Sequence, residues 1–94
     1  MEKVLINIVS NSLGDTIAIL PYIEKYRVDN NCEVIVDLNN HLQPLFKRSY
    51  PNLKFTNTDL VDFDKKLDLY YDFHYPVQQG MAKQLGYENP TYIR

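Results

Sequence analysis

Apolar and polar positions divide this chain into short elements of two alternating kinds. Lys3 to Val9, KVLINIV, is a β-branched run with little alternation, the pattern of a strand buried on both faces of a sheet. Ser10 to Gly14 interrupts it as a loop. Ile17, Leu20, Ile23 and Tyr26 then recur every three residues, with Glu24, Lys25 and Arg27 between them. That spacing predicts an amphipathic helix facing inward at those four positions and ending near VDNN at 28–31. Pro21 lies inside it, removes the backbone bond to the Ile17 carbonyl and predicts a bend. Cys32 to Leu38 reads as a second buried strand. Residues 39–51, NNHLQPLFKRSYP, fit a helix with Leu42, Leu45 and Phe46 inward and Pro44 in its first turn, where proline is tolerated. NLKFTN at 52–57 is a short third strand, and TDLVDFDKK at 58–66 a polar, acidic connection with room for one helical turn. LDLYYDF at 67–73 is a fourth strand. PVQQGMAKQLG at 76–86 is a last helix, with Val77, Met81 and Leu85 at helical spacing and Gly86 as its stop. The tail YENPTYIR starts a fifth strand or frays.

Strands that alternate with helices imply a parallel sheet with right-handed crossovers. The expected fold is therefore α/β: a Rossmann-like, three-layer α/β/α domain with a parallel sheet of four to five strands. Residues 1–94 form one domain, with no internal repeat, low-complexity segment or linker.

Composition narrows the class. Hydrophobic residues make up 45% and charged residues 23% of the chain, which suits a folded globular domain. A net charge of −2 and a pI near 5.5 give no basic field for nucleic acid. No apolar run approaches the roughly 18 residues of a membrane span, and the N-terminal run is too short and β-branched for a signal peptide. The expected location is the cytoplasm. The lone Cys32 excludes an internal disulfide and leaves no thiolate cluster for zinc; it reads as a packed small hydrophobe.

In sheets of this kind ligands sit beyond the carboxyl ends of the strands. The loops there are 10–15, 37–40 and 72–76, which would bring Asp15, Asn39 and His74 together. Asp15 has two compatible readings. As a carboxylate at a helix start it interacts with free N–H groups and the positive dipole end, worth about 0.3–1 kcal/mol. Facing a cleft, it is a general base for a hydroxyl nucleophile. Ser10, Asn11 and Ser12 are loop and cap residues, or donors to a polar ligand. Gly14 is the one glycine of that loop; there is no GxGxxG and no Walker lysine, so nothing points to a dinucleotide or P-loop site. His74 is a rim residue or a substrate contact. His41 faces solvent. The two histidines do not have metal-ligand spacing, so no metal is expected. The acids at 59, 62, 64 and 68 read as a solvated loop and strand start.

The stretch KVLINIVSNSLGDTIAILPYIEKYR resembles the first strand, loop and helix of bacterial heptosyltransferases, a GT-B glycosyltransferase family. The matching positions are Gly14, Asp15, Leu20 and Pro21. Residues 14–27, Leu45, Phe46, Tyr50 to Leu53, and DFHYPVQQGMAKQLGYE at 72–88 are similar to the autotransporter O-heptosyltransferase subgroup. The resemblance implies an N-terminal, acceptor-binding domain with Asp15 as the catalytic base. Ser10, Asn11, Ser12 and Gly14 would shape the acceptor site, with Asn39 and His74 as rim contacts. A heptose-like sugar would pass with inversion to a protein or saccharide hydroxyl. It also implies that the ADP-heptose-like donor, and the subgroup's iron-binding cysteines, belong to a second domain outside this stretch, so no cofactor is expected on this domain. Partners would be the acceptor, the donor domain or a protein that covers the open face; an oligomer is left open. The alternative is a non-catalytic module that binds a protein through exposed tyrosines, among Tyr70, Tyr71, Tyr75, Tyr87 and Tyr92. A flavodoxin-like small-ligand binder is a further alternative, disfavoured by the lack of a phosphate loop.

Overall fold

The structure, a computed structural model, describes residues 1–9, 12–58 and 60–93. The expectations on Ser10, Asn11 and Asp59 lie outside the described residues. The elements follow in the order β1 (Lys3–Ile8), α1 (Leu13–Asn30), β2 (Glu33–Asp37), α2 (Gln43–Lys47), β3 (Lys54–Thr56), β4 (Lys65–Leu69) and α3 (Val77–Gln84). All the strand pairs are parallel and the sheet order is β3-β2-β1-β4. The α/β, Rossmann-like class read from the element order is the one observed. Four strands are present, and the described tail residues add no fifth.

One side of the sheet carries the core. Val4, Ile6, Ile8, Val34, Val36 and Leu69 join buried residues of all three helices in a single cluster. The helices expected on both faces thus gather, among the described residues, on one. The alternate residues on the other face are Lys3, Asn7, Glu33, Asp37, Lys54, Thr56, Lys66 and Asp68, with Leu5 and Ile35 between them. Leu5 is fully buried yet stands outside that cluster. The strand order reverses between β3 and β4, so the connection between them passes from one edge of the sheet to the other.

α1 starts on Ser12, whose backbone is extended and whose Oγ accepts the Asp15 N–H at 3.5 Å. It runs through Pro21 to Asn30. Asn31 follows in the left-handed region at φ 48°. The N–H groups of Asn31 and Cys32 then close onto the carbonyls of Val28 and Arg27. Thr16, Ile19, Leu20, Tyr22, Ile23 and Tyr26 are buried, but Ile17 is 54% exposed. The reason is geometric. A three-residue step turns about 300°, so each step drifts about 60° back, and Ile17 and Tyr26 end on opposite sides of the helix.

The second helix is shorter than expected, and Leu45 is 56% exposed rather than inward. Leu42 and Phe46, one turn apart, take the core positions. Gln43 is buried beside them, donating to the Leu38 carbonyl at 2.9 Å. β4 begins at Lys65 and stops at Leu69, earlier at both ends than 67–73. Pairing starts early because the Lys3 carbonyl accepts the Asp64 N–H at 2.8 Å. It ends early because the Gln84 side chain takes the backbone of Tyr70. α3 ends as expected, on Gly86 at φ 100°. The N–H groups of Gly86 and Tyr87 bond the carbonyls of Lys83 and Ala82, a Schellman closure.

Candidate functional site

β1 is the hub of the carboxyl edge. Its neighbours are β2 on one side and β4 on the other, and the chain reverses its direction across the sheet there. That reversal is the topological switch point at which open α/β sheets bind ligands. Neighbouring strands lie about 4.8 Å apart, so the loops after β2, β1 and β4 open side by side. The Val9 N–H donates to the Leu69 carbonyl at 3.0 Å and ties the ends of β1 and β4 together.

Asp15 stands in the first turn of α1, at the mouth of the central loop, and is half-buried. Ser12, not Asp15, is the N-cap. The Ser12 carbonyl also accepts the Thr16 hydroxyl at 3.0 Å, which fixes the turn from below. Gly14 lies inside the helix. A Cβ there would meet its nearest atom, Ser12 Oγ, at 3.7 Å, so the fold does not require a glycine at this position. Asn39 is exposed in the loop after β2, and its carbonyl accepts the Leu42 N–H at 3.0 Å. His74 is exposed in the loop after β4; its backbone N–H donates to Asp72 Oδ1 at 2.9 Å. Topology thus places the Asn39 and His74 loops on either side of the Asp15 loop. Ser10 and Asn11 are outside the described residues.

The edge has a definite electrostatic character. β1, β3 and β4 begin on Lys3, Lys54 and Lys65, and β2 on Glu33. The loops at their carboxyl ends, 9–15, 37–42, 57–62 and 70–76, contain Asp15, Asp37, Asp59, Asp62 and Asp72 but no Lys or Arg. Around the same mouth, Val9, Leu13, Ile17, Tyr70, Tyr71, Phe73 and Tyr75 are exposed. The aromatic group after β4 was legible only as candidate exposed tyrosines, because 70–73 read as part of the fourth strand. A separate groove of about 330 Å³ runs between α3 and the tail, lined by Tyr75, Pro76, Gln79, Lys83, Glu88, Asn89 and Pro90. It lies beside α3 and not at Asp15.

No cluster of His, Cys, Asp and Glu among the described residues has the form of a metal site. Cys32 is buried at the start of β2. Burial pushes its thiol up, with the Glu2 charge adding to it, so the group is an inert part of the core. No described helix is long and apolar enough to cross a membrane.

Comparison with known proteins follows the same line. No family model matches the chain. The autotransporter heptosyltransferase Aah of Escherichia coli is 35% identical over 56 residues, 60% of this chain and 14% of that protein. The crystal structure of the bacterial iron-containing dodecameric glycosyltransferase TibC, from enterotoxigenic E. coli, superposes with a TM-score of 0.72 at 20% identity. That match covers 92% of this chain and 26% of TibC, so the chain spans about a quarter of the neighbour's length. The structural likeness carries the fold and the sequence match the relationship. The chain thus has the α/β fold of a glycosyltransferase structure and a sequence similar to part of a heptosyltransferase.

Proposed function

We propose that this domain is the acceptor-binding half of a cytoplasmic GT-B glycosyltransferase that passes a heptose-like sugar from a nucleotide donor to a protein or saccharide hydroxyl. The observation that carries the reading is the position of Asp15, a half-buried carboxylate on the first turn of α1 at the β1/β4 switch point. The chemistry balances simply. Asp15 takes the proton of the acceptor hydroxyl as its oxygen bonds the anomeric carbon. The bond from that carbon to the donor phosphate breaks, and the nucleotide diphosphate leaves with the electron pair. The carboxyl-edge loops support this division of labour. With acids and no Lys or Arg they repel a diphosphate and suit an uncharged hydroxyl. The donor and its phosphates then belong to a second domain. Ser12, Asn39 and His74 border the acceptor.

The exposed group of Val9, Leu13, Ile17, Tyr71 and Phe73 favours a second reading, a non-catalytic module whose open face binds a protein. One substitution separates the two. Asp15→Asn, assayed in the polypeptide that carries the donor domain, lowers transfer by about 10²–10⁴-fold if Asp15 is the base. Unchanged transfer refutes that role. Partner binding that survives the substitution in a chain without transfer supports the module.

A further inference from the structure

One face of α3 holds the chain that leads into it. Gly80, Lys83 and Gln84, at i, i+3 and i+4, all meet the segment between β4 and α3. Gln84 takes both backbone groups of Tyr70: its Oε1 accepts the Tyr70 N–H at 2.7 Å and its Nε2 donates to the Tyr70 carbonyl at 2.8 Å. The side chain thus supplies the pairing that the sheet stops supplying at Leu69. At Gly80, a Cβ would lie 3.2 Å from Asp72 Cβ and 3.4 Å from Tyr75 Cβ, so the loop rests on bare backbone. The Lys83 ammonium stands 5.0 Å from the centre of the Tyr75 ring. Within the loop, Asp72 accepts the backbone N–H of His74 on its carboxylate at 2.9 Å and that of Tyr75 on its carbonyl at 3.4 Å. A connection without helix or strand is therefore held at 70, 72, 74 and 75.

This fixed loop holds two rings in water. Tyr71 is 47% and Phe73 88% exposed, and the rings meet edge to face with centroids 4.9 Å apart. Aromatics on a fixed backbone lose little further freedom on binding, which is how recognition surfaces gain affinity. The loop leaves β4 beside the end of β1, so topology sets it next to the loop that leads to Asp15, at the switch point where open α/β sheets form a ligand crevice.

We infer that residues 70–76 form the acceptor-recognition rim of that crevice. Tyr71 and Phe73 contact the apolar surface next to the acceptor hydroxyl, and Gln84 and Gly80 are the residues that position them. The inference rests on the reading of this domain as an acceptor half. Its contacts and that reading fail separately.

Transfer kinetics in the complete enzyme provide the test. Tyr71→Ala and Phe73→Ala should each raise the acceptor KM at least fivefold and leave kcat within twofold. Gln84→Ala should do the same and add nothing to Phe73→Ala in the double variant, because it acts through the loop. Gly80→Ala, which pushes Asp72 instead of releasing Tyr70, should give the same shift by an independent route. In this chain, Gln84→Ala should speed hydrogen exchange at the Tyr70 amide at least tenfold while the Val34 amide keeps its protection. An unchanged KM in both ring variants overturns the rim. Additive effects of Gln84→Ala and Phe73→Ala, or an unchanged Tyr70 amide, overturn the positioning role. Transfer that is indifferent to Asp15→Asn overturns the parent reading instead.

Discussion

Gln78→Met measures how the tail is tied to the domain. Gln78 is 3% exposed, and its amide makes three bonds of 2.6 Å, donating to the Ala18 and Ile93 carbonyls and accepting the Ile93 N–H. It joins α1, α3 and the tail in one place. Methionine keeps the length and much of the volume, so the loss reads the bonds and not a cavity. At about 0.5–1.5 kcal/mol net for each bond, the loss comes to roughly 2–4 kcal/mol. A domain of this length has about 5–14 kcal/mol in total. If residues 87–93 let go, the Ile93 groups reach water and the loss falls towards the lower figure. Urea unfolding at neutral pH, read by circular dichroism, gives the number. Tyr22→Phe removes the companion bond from the Tyr22 hydroxyl to the Thr91 carbonyl. Its effect should be less than additive with Gln78→Met, because both release the same segment. A loss below about 0.5 kcal/mol for Gln78→Met, the range of an ordinary surface substitution, would refute the reasoning.

Two further outcomes follow from the packing and the charges. The Tyr87 hydroxyl donates to Asp29 at 2.7 Å, and this bond, with Lys25 beside it, holds the Asp29 carboxyl below its ordinary value. A depressed carboxylate contributes stability that is present above its unfolded value and lost as pH falls through the range below about 4. Burial first, and then Asp29, raises the Tyr87 hydroxyl, so its contribution is present below about pH 10 and lost above it. Tyr87→Phe should flatten both limbs in urea midpoints taken at pH 3, 7 and 10.5; unchanged limbs would discount the pair. Ile17→Lys should change stability by no more than about 0.5 kcal/mol, while Ile23→Ala, in the buried stripe, should cost about 2–5 kcal/mol. Equal costs in the same unfolding assay would return Ile17 to the core.

What was legible in the sequence followed from periodicity carried by many residues. The β1 run, the order of the elements and the Gly86 stop were readable because each depends on local pattern or on one backbone requirement. The misses came where a distant side chain decided a local outcome. Tyr70 and Tyr71 have the composition of a strand, but Gln84, fourteen residues on, takes the Tyr70 backbone and ends β4. Gln43 is inside because of the Leu38 carbonyl, not because of its own polarity. Ile17 was misplaced because spacing of three was treated as spacing of 3.6. The loops read as 10–15, 37–40 and 72–76 were legible as neighbours because they follow β1, β2 and β4, which lie side by side in parallel. The clamp on α3 was not, for nothing in VQQGMAKQ distinguishes a glutamine that holds a loop from one that faces water.

The Asp15 prediction can be separated from stability because the N-cap belongs to Ser12. Asn at the third helical position keeps the size of the side chain and an accepting oxygen, and loses the charge near the positive end of α1. That loss is about 0.3–1 kcal/mol, small beside the roughly 5–14 kcal/mol of a domain this size. Asp15→Asn should therefore stay folded, with its urea midpoint close to that of the parent chain. A fall in transfer of about 10²–10⁴-fold corresponds to about 2.7–5.4 kcal/mol of barrier at 1.36 kcal/mol per tenfold. Such a fall in a folded variant places the carboxylate in the reaction. Unfolding in step with the lost activity would instead make Asp15 a structural residue.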